Sequence, residues 1–317
     1  MDTTMAKDQS FPRMDTGSLH DRPATWFEAL TVVLPALNEE EAVVSVVEEL
    51  REAGYSRILL VDGHSTDRTV ELAHRCGVKV IVQEGEGKAA AIRTAVQLVD
   101  TPYMLVMDCD GTYDPRDIKR LLDAGKSYDL VIGTRIIGRS NIPLMNRLGN
   151  WVITKAFDYM LGADLKDVCS GMYLLKTERA RNLELTSKGF SVEADIASQM
   201  LMHGPVGQIP VSYRERIGKA KLSRWRDGFG ILRSVFILAR RHNPLFLFFI
   251  LALGAGALSS TILLWVIYEN LLHGVWHSGY ALFGGILFLA SIQCFTLAAF
   301  SVMLKRMEKR IERRVGL

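Results

Sequence analysis

The chain has 317 residues, 49% of them apolar and 23% charged, with a formal charge of +3. That length holds one large domain and an addition, and so high an apolar share beside so many charges points to an aqueous part joined to a membrane part. The slight positive balance selects no nucleic acid, and the scattered cysteines (Cys76, Cys109, Cys169, Cys294), with no CxxC pair, exclude a clustered zinc site and a disulfide scaffold.

Residues 1–29 are polar, lack the apolar stretch of a secretory signal and read as a disordered leader. An α/β unit, 30–221, follows. "TVVLP" (31–35) is a short buried strand, and Asn38 is expected to cap the helix that places Val43, Val46, Val47 and Leu50 on one face. "RILLVDG" (57–63) is a second strand; Ser65 or Thr66 is expected to cap the helix after it. "VKVIVQE" (78–84) is a third strand, "KAAAIRTAVQLV" (88–99) a helix and "YMLVMDCD" (103–110) a fourth strand, after which Asp114 and Pro115 suit an N-cap and first helical position. Such Val/Ile/Leu runs alternating with helices predict an α/β fold with a mostly parallel, Rossmann-like sheet covered on both faces. Further strands are read at 129–135, 171–178 and 208–215, with helices around 146–161 and 192–202.

After residue 221 the composition changes. Residues 222–242 interleave Trp225, Phe229, Leu232 and Phe236 with five arginines, the pattern of a helix lying in a headgroup layer. Residues 243–268 and 278–304 carry no charge over 26 and 27 positions. About 20 such residues cross a ~30 Å hydrocarbon core, so a transmembrane hairpin is expected. The loop between the spans has no Lys or Arg, whereas Arg240 and Arg241 precede them and a basic tail, 305–317, follows. By the positive-inside rule the protein is multi-pass, with the α/β domain and both termini cytoplasmic.

The chemistry concentrates at strand ends, where ligands of open α/β sheets bind. Asp108 and Asp110 bracket Cys109 at the end of the fourth strand, a pattern suited to a hard divalent cation that also needs phosphate oxygens. Asp62 closes the second strand and is placed to accept hydrogen bonds from a base or ribose. "EGEGK" (84–88) is a glycine-rich helix opening that brings Lys88 toward phosphates, yet it matches neither the Walker A nor the dinucleotide fingerprint.

Taken in order, "VVLPALNEEEAV", "VDGHSTDRT", "EGKAAAIRTA", "DCDGTYDP", "GTR", "DVCSGMYLL", "GFSVEADI" and "PVSYRERIGKAKLS" resemble the family 2 glycosyltransferases with a GT-A fold. The resemblance is nearest to the branch that loads sugars onto polyprenyl phosphates, dolichol-phosphate mannose synthases among them. It implies that Pro35, Asn38, Glu39 and Asp62 line a nucleoside pocket, and that Asp108 and Asp110 carry Mg²⁺ or Mn²⁺ on the donor diphosphate. It further implies that Arg135 and Arg147 receive the lipid phosphate, that Arg216 and Lys221 neutralise the diphosphate, and that Asp167 and Glu193 lie near the sugar. Lys88 and Cys109 complete the donor set, while Ser170 and Gly171 shape a turn. Two departures, Gly63 in place of a second acidic residue and Ala220 in place of serine in the last motif, leave the donor open, with GDP-mannose ahead of UDP-glucose and UDP-N-acetylglucosamine.

The reaction so implied is one in-line displacement by a polyprenyl phosphate on the anomeric carbon of a nucleotide sugar, with inversion and without a protein base. The partners are a nucleotide sugar, a dolichyl or polyprenyl phosphate and a lipid bilayer, with homo-oligomerisation left open. A polysaccharide synthase would carry a Gln-x-x-Arg-Trp motif, of which only Arg224-Trp225 is present. A non-enzymatic membrane scaffold is the remaining alternative.

Overall fold

A computed structural model describes residues 28–185, 192–218 and 247–315. The leader through residue 27, the interfacial segment 222–242 and Lys221 lie outside them. Strands β1 (Leu30–Ala36), β2 (Ile58–Asp62), β3 (Lys79–Val82) and β4 (Tyr103–Met107) alternate with helices α1 (Val43–Glu52), α2 (Thr69–Arg75) and α3 (Lys88–Leu98). A 3₁₀ turn, Pro115–Asp117, leads into α4 (Ile118–Gly125); then come β5 (Leu130–Ile137), a second 3₁₀ turn (Arg139–Asn141), α5 (Leu144–Leu161), β6 (Met172–Lys176), the short α6 (Thr177–Ala180), α7 (Val192–His203) and β7 (Val206–Ser212). Asp114 caps the turn as expected, its carboxylate accepting from the Arg116 amide, with Pro115 in the first position.

The seven strands form one sheet in the order β3-β2-β1-β4-β6-β5-β7. All pairings are parallel except those of β6, which runs antiparallel to β4 and β5. The carboxyl ends of β1, β2, β4, β5 and β7 therefore share one edge with the amino end of β6. Adjacent side chains point to opposite faces of a strand, and two apolar cores result. Val33, Val61, Val106 and Tyr173 pack under α3, α5 and α7, with Phe157 fully buried. Val32, Leu34, Leu105 and Met107 pack under α1, α2 and α4.

Two of the expected caps take other partners. Asn38 has a left-handed backbone (φ 52°), its amide donates to Ser65 Oγ at 2.8 Å, and its Oδ1 accepts from the Thr66 amide at 2.7 Å. Asn38, Ser65 and Thr66 thus tie the loop after β1 to the loop after β2. The next helix starts at Thr69, whose amide donates to Asp67 at 2.9 Å.

Helices α8 (Leu247–His273) and α9 (Ser278–Val315) run back along one another. Ser259 donates to the Gly284 carbonyl and Ser291 to the Ala252 carbonyl, at 2.8 and 2.7 Å, with small residues letting the backbones approach. Phe248–His273 and Ser278–Ser301 are long and apolar enough to cross a membrane, and only 17% and 11% of their most apolar windows are buried within the chain. A soluble core helix would hide far more of that surface.

Candidate active site

The acidic pair sits where β4 leaves the sheet. Asp110 begins a tight turn: its Oδ1 accepts from the amide and hydroxyl of Thr112, at 3.1 and 2.6 Å. Gly111 follows with φ 76°, and a Cβ there would stand 2.6 Å from Ile217 Cδ1, so glycine meets both the backbone and the packing requirement. The chain after β7 lies over this turn, with Ile217 donating its amide to the Asp110 carbonyl at 3.0 Å and Arg214 to the Thr112 carbonyl at 2.7 Å. Arg216 reaches the acidic pair by this route.

Each aspartate is held by an internal cation shared with a second carboxylate. Lys88, the first residue of α3, reaches Asp108 and Glu193 at 2.6 Å each. Arg216 reaches Asp110 at 2.8 Å and Glu39 at 2.6 Å. Two cations thus face four carboxylates, a formal surplus of two negative charges. Burial works against the Lys88 ammonium, yet Asp108 and Glu193 hold its pKa well above the usual lysine range. Asp110 is shifted up, first by burial and then by the charge of Asp108, against its bonds from Thr112 and Arg216. Burial also raises Glu193, with Lys88 opposing.

Gly171 closes the space on the other side of Asp108. A methyl group there would overlap the Asp108 carboxylate, and its carbon would lie 2.5 Å from Asp108 Cγ. The Gly171 amide is fixed by donation to the Tyr113 hydroxyl at 2.7 Å. Tyr113 also meets Ser170, and its ring stands edge-on to Tyr213 with centroids 5.4 Å apart. Gly171, Tyr113 and Tyr213 were not in the expected site; the glycine in "CSGMY" was the available signal, since glycine recurs where something must approach the backbone closely.

The expected nucleoside residues gather at the neighbouring strand ends. Pro35 is paired with Val61 and Ala36 with Asp62, so Pro35, Asn38, Glu39 and Asp62 adjoin one another along the edge. The Asp62 carboxylate accepts from the amides of His64 and Ser65 at 3.1 Å, which fixes the loop and directs the oxygens into it.

Other expected residues are arranged differently. Arg135 and Asp167 form a two-pronged pair, Nε and Nη2 each donating at 2.7 Å, with both side chains almost buried. The Arg135 guanidinium also lies 5.5 Å from the centre of the Tyr213 ring. Arg135, expected as a receiver of lipid phosphate, is thus paired with Asp167, a link that joins β5 to the loop before β6. The side chain of Cys109, expected in the donor pocket, packs in the apolar core with Met107 and Tyr113. Arg147, in the first half of α5, is partly exposed and forms no ion pair among the described residues.

The residues present fit a divalent cation. Among the described residues no group of three or more His, Cys, Asp or Glu side chains is set to hold a metal. Asp108 and Asp110 would thus supply part of a hard oxygen shell and leave the remaining positions to a diphosphate and water, as such ions prefer. The surplus of two negative charges matches the charge of the ion.

Comparison with known proteins identifies the family. Residues 31–183 match the description Glycosyl transferase family 2. Glycosyltransferase AglJ of Haloferax volcanii is 33% identical over 296 residues, covering 90% of this chain and 98% of that protein. The dolichyl-phosphate hexose transferase of the same organism is 35% identical over 214 residues, 66% of this chain and 93% of that one. Among solved structures, glucosyl-3-phosphoglycerate synthase from Mycobacterium tuberculosis, in complex with Mn²⁺, UDP and glucosyl-3-phosphoglycerate, aligns with a TM-score of 0.56 over 73% of this chain and 86% of its own, at 21% identity. That likeness shows the fold alone, which is GT-A-like. With a third of its residues shared across almost the whole of a glycosyltransferase, the chain belongs to glycosyl transferase family 2.

Proposed function

We propose that this glycosyltransferase moves a hexose from a nucleotide sugar to a dolichyl or other polyprenyl phosphate at the cytoplasmic face of a membrane, with inversion at the anomeric carbon. The observation that carries the reading is the acidic pair at the sheet edge, each member leashed by an internal cation, in one chain with two helices of membrane-crossing length. Similarity to the dolichyl-phosphate hexose transferase of H. volcanii supports a lipid-phosphate acceptor. The Mn²⁺–UDP complex of the M. tuberculosis neighbour supports a divalent cation, Mg²⁺ or Mn²⁺, at Asp108 and Asp110. The absence of Lys and Arg from the loop between the spans, together with the basic flanks, supports a cytoplasmic catalytic domain.

When bound, the cation would neutralise charge growing on the departing diphosphate. Arg216, released from the carboxylates it holds, and Lys88, which keeps its bond to Glu193, supply further positive charge near the same group; Lys221 has that role in the sequence reading and lies outside the described residues. Pro35, Asn38, Glu39 and Asp62 bind the nucleoside, and Glu193 orients the sugar from the first turn of α7. Arg147 receives the acceptor phosphate: it is flanked on α5 by the exposed Leu144, Met145, Leu148 and Trp151, a setting for an anion that carries a greasy chain. Arg135 and Asp167 keep that wall in place rather than touching the acceptor.

No side chain has to remove a proton, because a phosphate monoester with a second pKa of about 6 is already ionised at pH 7. Burial pushes the Cys169 thiol and the Tyr113 hydroxyl up, so both stay neutral there and neither competes as a nucleophile. The test is to incubate membranes containing the protein with labelled GDP-mannose, UDP-glucose or UDP-N-acetylglucosamine and several polyprenyl phosphates. Label entering the lipid phase in an acid-labile, metal-dependent product is expected, with GDP-mannose tried first. Label that reaches only a polymer or free sugar would refute the acceptor assignment.

A further inference from the structure

Tyr173 stands in β6, opposite Val106 of β4 and Ile132 of β5, and its ring belongs to the core beneath α3 and α7. It is 2% exposed, and its hydroxyl is buried with no hydrogen-bond partner among the described residues. Such a group is destabilising as it stands, and phenylalanine would fill the same space without the penalty. The hydroxyl therefore needs a partner in some other state of the protein.

The helices above it identify that partner. Lys88 opens α3 beside Ala89, Glu193 follows Val192 in the first turn of α7, and Ala89 and Val192 pack in the same buried cluster as Tyr173, whose hydroxyl also feels the charges of Lys88, Glu193 and Asp108. The Lys88 ammonium has three protons to donate, of which two go to Asp108 and Glu193. The fully buried Tyr113 offers no comparable vacancy, because its hydroxyl already accepts from the Gly171 amide and meets Ser170.

We infer that Tyr173 is the alternate partner of Lys88, accepting the ammonium's hydrogen bond when Asp108 turns from Lys88 toward the cation and donor. This rests on the proposed role of Asp108 in holding the cation. Without the exchange, release of Asp108 would leave a buried ammonium with an empty donor, and that penalty would hold Asp108 back. With it, the number of bonds to Lys88 is conserved. Tyr173 is thus a positioning residue that touches neither donor nor acceptor.

The test compares the full-length wild type, Tyr173→Phe and, as a control for hydroxyl loss, Tyr113→Phe, each in lipid nanodiscs. Thermal melting is recorded without metal, and Mn²⁺ affinity is read by water-proton relaxation in the presence of UDP or GDP. For Tyr173→Phe we expect a higher metal-free melting temperature together with Mn²⁺ binding weakened about ten-fold, the scale of one hydrogen bond to a charged group. Tyr113→Phe should melt below wild type. A Tyr173→Phe protein that melts at or below wild type would mean that the hydroxyl is already partnered at rest, and unchanged Mn²⁺ affinity would mean that Lys88 does not turn to it; either overturns the inference. Wild type that binds no Mn²⁺ overturns the cation site itself, a distinct failure.

Discussion

Gly171→Ala is the sharpest single perturbation the structure offers. The added methyl carbon would meet all three heavy atoms at the end of Asp108, with Cγ 2.5 Å and Oδ1 2.9 Å away. One side must move. The Gly171 backbone is held by the Tyr113 hydroxyl at 2.7 Å, and the next residue, Met172, is paired with Met107 in the middle of the sheet. Asp108, a third exposed at the strand's end, is the freer party and swings away. Its charge-assisted bond to Lys88 is then lost, which with the overpacking amounts to about 2–3 kcal/mol. The displaced carboxylate also misses the cation, so transfer should fall by about 10²-fold or more, as when a preorganised group is misplaced near the reacting atoms. Initial rates of sugar transfer to lipid, the Mn²⁺ concentration for half-maximal rate and the melting temperature report these effects separately. A Gly171→Ala enzyme with the wild-type rate and the wild-type Mn²⁺ requirement would refute the close approach of Gly171 to the acidic pair.

Three other outcomes are expected. Asp110→Asn should retain the fold but lower transfer by about 10²–10³-fold, the scale of removing one electrostatic stabiliser, with Mn²⁺ affinity falling alongside. Arg147→Ala should raise KM for polyprenyl phosphate while leaving KM for the nucleotide sugar near wild type; equal changes in both would count against its place at the acceptor. Asp114 supplies a pH test, because although burial opposes ionisation, bonds from Arg116 and Arg214 bring its carboxyl from the usual 3.8 to about 2. A lowered folded-state pKa stabilises above the unfolded value and loses that contribution as pH falls toward the folded one. The gap in urea midpoint between wild type and Asp114→Asn should be full at pH 5 and shrink toward pH 2.

The parallel part of the sheet was legible because "TVVLP", "RILLVDG" and "YMLVMDCD" are apolar on both faces and end in polar turns. The reversal of β6 was not, since a strand buried on both sides reads the same in either direction. Asn38 was assigned to a helix cap because capping and cross-loop bonding call for the same short polar side chain, and only the folded chain shows which it makes. The acidic pair stood out by its position after β4. Its leashes did not: Arg216 joins Glu39 across 177 positions and Asp110 across 106. The pairing of Arg135 with Asp167 over 32 positions was hidden likewise.

Helix α9 runs without a break from Ser278 to Val315, whereas its apolar stretch ends at Ser301. The 14 residues left over extend it by about 21 Å at 1.5 Å each. Because α9 also touches α5, a stiff rod of this kind would brace the sugar-handling domain against the hairpin, much as a mast holds a boom. Adding one residue just past Ser301 would then turn everything beyond it by about 100°, a change of aim that a slack tether would absorb unnoticed.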